Sequence, residues 1–303
     1  MTKQVLKKYG RKKGRANLLF KLIMLALFLL GLLTFSYPFL ADAINDFHDQ
    51  LTIEKFQKDY SSLTVRQKEK SQKEMREKNK ALLKENKLMN IPGMGLVKDP
   101  FEEATKDTKN PGKAYFENHM IGAIFIPKIK VSLPIFDETN NVLLDKGATV
   151  LQGTSFPIGG AGTHSALTGH SGLPEKKIFT DLNQLKKGDI FYINVSGKKL
   201  AYRINRFETV LPDNINHLKV VDGLDQVTLV TCTPYMINTH RLLVTGIRTT
   251  YKEEKLEKEI KVTKNYHLYR IILFSVLIIL ITAISAYVIW RIMVSYLKQK
   301  ENN

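Results

Sequence analysis

TLVTCTPYMINTHRLLVTGIR, residues 228–248, reads as two short β-strands joined by a turn, with the only cysteine of the chain, Cys232, where the first strand ends. Thr233-Pro234 stops that strand, because proline donates nothing to a ladder and fixes its own φ. Arg241 opens the next strand after a loop of eight residues, 233–240. Working outward, segments of the same texture recur between Gly, Pro, Asn and Asp: 122–126, 131–136, 164–169, 190–195, 200–210, 226–231 and 241–248. Short β-branched runs at this spacing predict one mainly β sandwich or barrel. Ile124, Ile126, Leu167, Val227, Leu229, Leu243 and Val244 are its expected core.

The chain of 303 residues also holds two stretches of different character. Leu22–Ala41 and Ile271–Trp290 are each 20 residues without a charge, about the ~20 that cross a bilayer as a helix. Both are apolar all round, which a soluble helix with one packed stripe is not. The net charge of +17 suggests nucleic acid until it is located. Residues 1–21 carry eight Lys or Arg and no acid, directly before the first apolar run. That is the arrangement that keeps a terminus cytoplasmic, and it argues against a nucleic-acid partner. Two spans then put both termini inside and residues 42–269 outside, although the lysines at 252–264 run against the rule locally. Ala41-Asp42-Ala43 has the small-x-small form of a signal cleavage site, but the apolar run exceeds the ~7–15 residues of a signal peptide, which favours an uncleaved anchor.

Residues 42–90 are rich in Lys, Glu, Gln and Arg, with apolar residues every three to five positions, and predict surface helices forming a solvated stalk. Ile91-Pro92-Gly93-Met94-Gly95 ends them and a long loop follows. The expected order is a basic cytoplasmic tail (1–21), a span (22–41), a charged helical segment (42–90), a loop (91–114), the β domain (115–250), a charged linker (251–270), a second span (271–290) and a cytoplasmic tail (291–303).

A lone Cys in an exported domain is buried and inert, paired with another chain, or reactive. At the end of a strand, facing a loop, a side chain is rigidly held yet reachable. A reactive thiol needs a base and a donor for the oxyanion formed on attack at a carbonyl. Arg241 suits the second role, and suits equally a surface arginine paired with a carboxylate. Among seven histidines, His48, His119, His217 and His267 read as surface residues, and His240 points to the opposite face from Arg241. His170, between Gly169 and Ser171-Gly172, leaves a strand on a tight turn that exposes its imidazole. One Cys and no His pair at ligand spacing argue against a metal, and no cofactor motif is present.

LTGH ending at His170, TLVTC ending at Cys232, and RLLVTGIR starting at Arg241 together resemble the sortase family over residues 115–250, with its TLxTC signature and eight-stranded barrel. The resemblance implies His170 as acid and base, Cys232 as nucleophile and Arg241 as stabiliser of the substrate carbonyl. The second span and Asp99-Pro100-Phe101 in the long loop look like the pilus-assembling class C branch. There, an Asp-Pro-aromatic lid would pair Asp99 with Arg241 and lay Phe101 over Cys232. The resemblance implies a membrane-anchored cysteine transpeptidase of a Gram-positive bacterium. Its partners would be pilin subunits with LPxTG-like sorting signals, joined to a pilin lysine or to a cell-wall peptide amine. A class A housekeeping role, a surface-protein cysteine protease and a membrane scaffold with a structural Cys232 are the alternatives.

Overall fold

A computed structural model describes residues 3–85 and 111–301. The chain divides into two compact units: Met1–Ala43 with Leu268–Asn303, and Ile44–His267.

The second unit is built on a closed barrel of β1 (Met120–Ile126), β2 (Val131–Phe136), β3 (Ala148–Val150), β4 (Thr163–Thr168), β5 (Ile190–Val195), β6 (Lys198–Val210), β7 (Asp225–Thr233) and β8 (His240–Thr249). The strand order is β1-β2-β3-β4-β7-β8-β6-β5, and β5 returns to pair with β1. The β2/β3 and β4/β7 pairs are parallel and the others antiparallel. Ser196 and Gly197, at φ 51° and 71°, supply the two positive angles that a tight hairpin between β5 and β6 requires.

The interior is filled by alternate residues, among them Ile124, Ile126, Ile135, Leu167, Phe191, Tyr202, Leu229 and Val244. Strand β1 is buried along its whole length. Its other face, Met120, Ala123 and Phe125, packs with Ile53 and Leu256 in a second cluster. A strand covered on both faces reads as a continuous apolar run, which is why Ile121–Ile126 shows no alternation. Seven of the eight strands fall where the sequence predicts them. The missing one, β3, is three residues long and has no pattern of its own.

Two charged segments differ from expectation. Residues 42–85, the described part of the 42–90 segment, are no solvated stalk. Helix α1 (Lys3–Ser62) places Ile53 in the second cluster at 3% exposure. Helix α2 (Val65–Glu85) starts with a capping box, in which the Gln67 amide donates to Thr64 Oγ1 and Gln67 Oε1 accepts from the Thr64 amide. It then buries Asn79, whose side chain exchanges both hydrogen bonds with the Phe156 backbone. Likewise 251–270 is not a linker. It begins helix α5 (Glu253–Glu301), which follows the short helices α3 (Lys113–His119) and α4 (Asn141–Leu144) in chain order. On α5, Leu256 packs against the barrel and Glu259 accepts a 2.9 Å hydrogen bond from Tyr192. His267, read from sequence as a surface residue, is 3% exposed and lies 3.0 Å from Asp46. In both segments apolar residues pack on the barrel while most of the charges, Asp42 and Asp49 excepted, face water, a division that composition hides.

In the first unit, the apolar stretches of α1 and α5 are long enough to cross a membrane and are not buried inside the protein. Arg270 donates to Asp42 at 2.7 Å, and both side chains are largely buried.

Candidate active site

Strands β7 and β8 set Cys232 directly opposite Arg241. In an antiparallel pair, residues in register share one face, with Cβ atoms about 4.5–5.5 Å apart. Cys232 is half-buried and unpaired with any other cysteine. Arg241 Nη1 donates to the carbonyls of Asn238 and His240, each at 3.1 Å, which seats the guanidinium against the β7–β8 turn.

His170 arrives from the other side of β7. The parallel β4/β7 register runs to Thr168 opposite Val230. It continues past the strand end, as the Gly169 amide donates to Val230 O at 3.1 Å and Thr231 Oγ1 to Gly169 O at 2.8 Å. One further step in this register would set His170 level with Cys232 across the β4/β7 pair. Its ring is about one-third exposed and its carbonyl accepts from the Phe179 amide. The next turn reaches across to the β7–β8 loop: Gly172, at φ 88°, faces Tyr235 and Met236. Thus three neighbouring strands, β4, β7 and β8, carry the three residues singled out in the sequence to one end of the barrel.

Gly169 explains why that exit has no side chain. A Cβ there would sit 2.8 Å from Ile178 Cγ2 and from Phe179 Cδ2. Both neighbours are fully buried, and Ile178 is already held at φ 41°, an uncommon angle for a β-branched residue. Gly169→Ala is expected to destabilise the protein by about 1–3 kcal/mol, as overpacking does. Displacing His170 by ~1 Å would slow its chemistry by about 10²-fold. Urea unfolding followed by near-UV circular dichroism reads the first effect, and the rate of acyl-enzyme formation the second.

Sequence reasoning missed Asp145, whose Oδ1 lies 3.4 Å from His170 Nε2. It also missed the buried pair of Lys176 and Asp49, 2.7 Å apart. Neither belongs to a motif. Asp99, Pro100 and Phe101 lie outside the described residues. Among the described residues, no three His, Cys, Asp or Glu side chains gather as a metal site would need.

The Sortase domain family matches residues 124–249. Sortase C1 of GBS Pilus Island 1 is 33% identical, with a TM-score of 0.57, over 68% of this chain and 94% of that one. The chain is a member of the sortase family. A second structure, Clostridium perfringens sortase C with the C-terminal cell wall sorting motif, is 37% identical to this sortase over 66% of its chain and 98% of the other, with a TM-score of 0.54. Among curated relatives, Sortase A of Bacillus anthracis is 32% identical over 46% of this sortase and 64% of its own length. The sortase thus spans less than two thirds of the curated relatives it matches.

Proposed function

We propose that the protein is a membrane-anchored class C sortase that polymerises pilins. The observation that carries this reading is the convergence of Cys232, Arg241 and His170 on adjoining strand ends. The Cys232 thiolate attacks the Thr–Gly carbonyl of an LPxTG-like signal, and Arg241 stabilises the oxyanion. His170 protonates the departing glycine amine, leaving a thioester on Cys232. A lysine amine of the next pilin attacks the thioester and gives its proton to His170, and the Cys232 thiolate leaves, restoring the starting thiolate and imidazolium. A thioester persists long enough for an amine to compete with water.

The pilus role is supported by sortase C structures at 33–37% identity and by the second long apolar helix. The basic segment 1–21, directly before the first apolar run, supports a topology with both termini in the cytoplasm and the barrel outside. The curated Sortase A relatives favour a second reading, attachment of surface proteins to the wall. Incubating the detergent-solubilised chain with a sorting-signal peptide, with and without a pilin or a cell-wall peptide amine, separates these readings by product mass. Ligation to a pilin lysine supports polymerisation, ligation only to the wall peptide the housekeeping role, and hydrolysis alone a protease.

The proposed lid rests on the Asp99-Pro100-Phe101 resemblance. Asp99→Ala is expected to speed alkylation of Cys232 about tenfold or more, the opening of a closed site being worth that much. An unchanged rate, with the adduct located by mass spectrometry, counts against a lid.

A further inference from the structure

We infer that Asp145 is a positioning residue for His170, an inference that rests on the transpeptidase reading. Its Oδ1 stands 3.4 Å from His170 Nε2, and the surrounding fold holds both partners. Asp145 follows α4 as its C-cap, and its amide donates to the carbonyls of Asn141 and Leu143. The helix is anchored by fully buried Leu143 and by Asn140, whose side chain accepts from the Leu143 amide at 2.9 Å. Two residues on, Gly147 lies so close to β2 that a Cβ would come within 2.5 Å of Pro134 O. The turn carrying Asp145 is therefore pressed against the barrel.

Lys176 ties this turn to the His170 loop. It lies six positions after His170, and its buried ammonium donates to the carbonyl of Lys146, next to Asp145, and to Asp49 of α1 at 2.8 Å. Asn45 of α1 donates to the neighbouring Glu175 carbonyl at 2.8 Å. The imidazole and the carboxylate are thus carried on two segments joined through one buried ammonium.

A carboxylate facing Nε2 favours the ring form protonated there and leaves the Nδ1 lone pair to exchange protons with thiol and amine. Asp145 is 59% exposed, so water screens its charge and its main effects are on tautomer and ring orientation. Helix capping does not explain its presence, because a carboxylate at a helix C-terminus opposes the helix dipole.

The test uses the full chain in detergent, with histidine 15N spectra assigned through His170→Ala. In the native protein His170 is expected to show the Nε2–H signature. In Asp145→Ala that signature should give way to a tautomer mixture, while kcat with a sorting-signal peptide and an amine falls about tenfold and KM stays within about twofold. Asp145→Glu should restore part of both. A His170 signature identical in native and Asp145→Ala proteins overturns the inference. The spectra need no substrate, so they decide on Asp145 even if Cys232→Ala proves fully active and the transpeptidase reading falls.

Discussion

Cys232→Ala is expected to leave the barrel folded and to abolish both the acyl-enzyme and the ligated product. The thiol is half-buried at the end of β7, so removing one sulfur disturbs little packing. A stability change within about 1 kcal/mol is expected for such a site. The catalytic effect is of another order. Without a nucleophile there is no thioester, and the two-step route closes. Removing the nucleophile of a comparable constellation costs on the order of 10⁶-fold. Intact-mass spectrometry after incubation with a sorting-signal peptide should show the acyl adduct on the native chain and none on the variant. Ligation by folded Cys232→Ala at more than about one-thousandth of the native rate would sink the proposed mechanism, since positioning and oxyanion stabilisation alone leave only a small residue of activity.

Lys176→Met is expected to be the most destabilising single change outside the site. Lys176 and Asp49 are both buried, at 6% exposure each, and 2.7 Å apart. Removing the ammonium alone strands a carboxylate away from water, which costs about 3–5 kcal/mol. Replacing both partners in Asp49→Leu/Lys176→Met removes the stranded charge and should recover most of that loss, because an apolar pair of similar volume is often as stable as a buried ion pair. Burial is the largest influence on Asp49 and raises its pKa from the ordinary 3.8 to about 6, with Lys176 opposing the rise.

The folded state therefore holds this proton more tightly than the unfolded chain does. Between about pH 4 and 6 the contribution of Asp49 to stability falls as pH rises, and above 6 its ionisation cost is fully present. In Lys176→Met the opposing influence is gone and the pKa climbs further. The deficit relative to the double variant should be smaller at pH 5 than at pH 8. Equal stability of the single and double variants at pH 8, by urea unfolding, would refute the argument.

The legible parts of this protein were those whose signal is local. Strands such as Val131–Phe136 and Ile190–Val195 carry β-branched and aromatic residues between turn formers, so their existence follows from a few adjacent side chains. The 20-residue apolar runs announce themselves by length alone. His170, Cys232 and Arg241 stood out because each lies at a strand end beside a turn, where Gly169, Pro234 and the loop 233–240 mark the chain's change of direction. Strand β3 was not legible, since three residues paired with β2 and β4 owe their conformation to those neighbours. His267 was misread because its burial against Asp46 depends on a helix more than 200 positions earlier in the chain.

The sequence by itself determined a β domain of short strands, two apolar helices and three chemically suited residues, because periodicity, turn chemistry and length act within a few residues of one another. Only the tertiary structure decided that the sheet closes, that β4 lies beside β7 and so carries His170 toward Cys232, and that Asp145 stands 3.4 Å from the His170 ring while Lys176 bonds to the turn beside it. Those outcomes depend on which distant segments bury their apolar faces together, and on which buried charges then find a partner, and no local pattern encodes either choice.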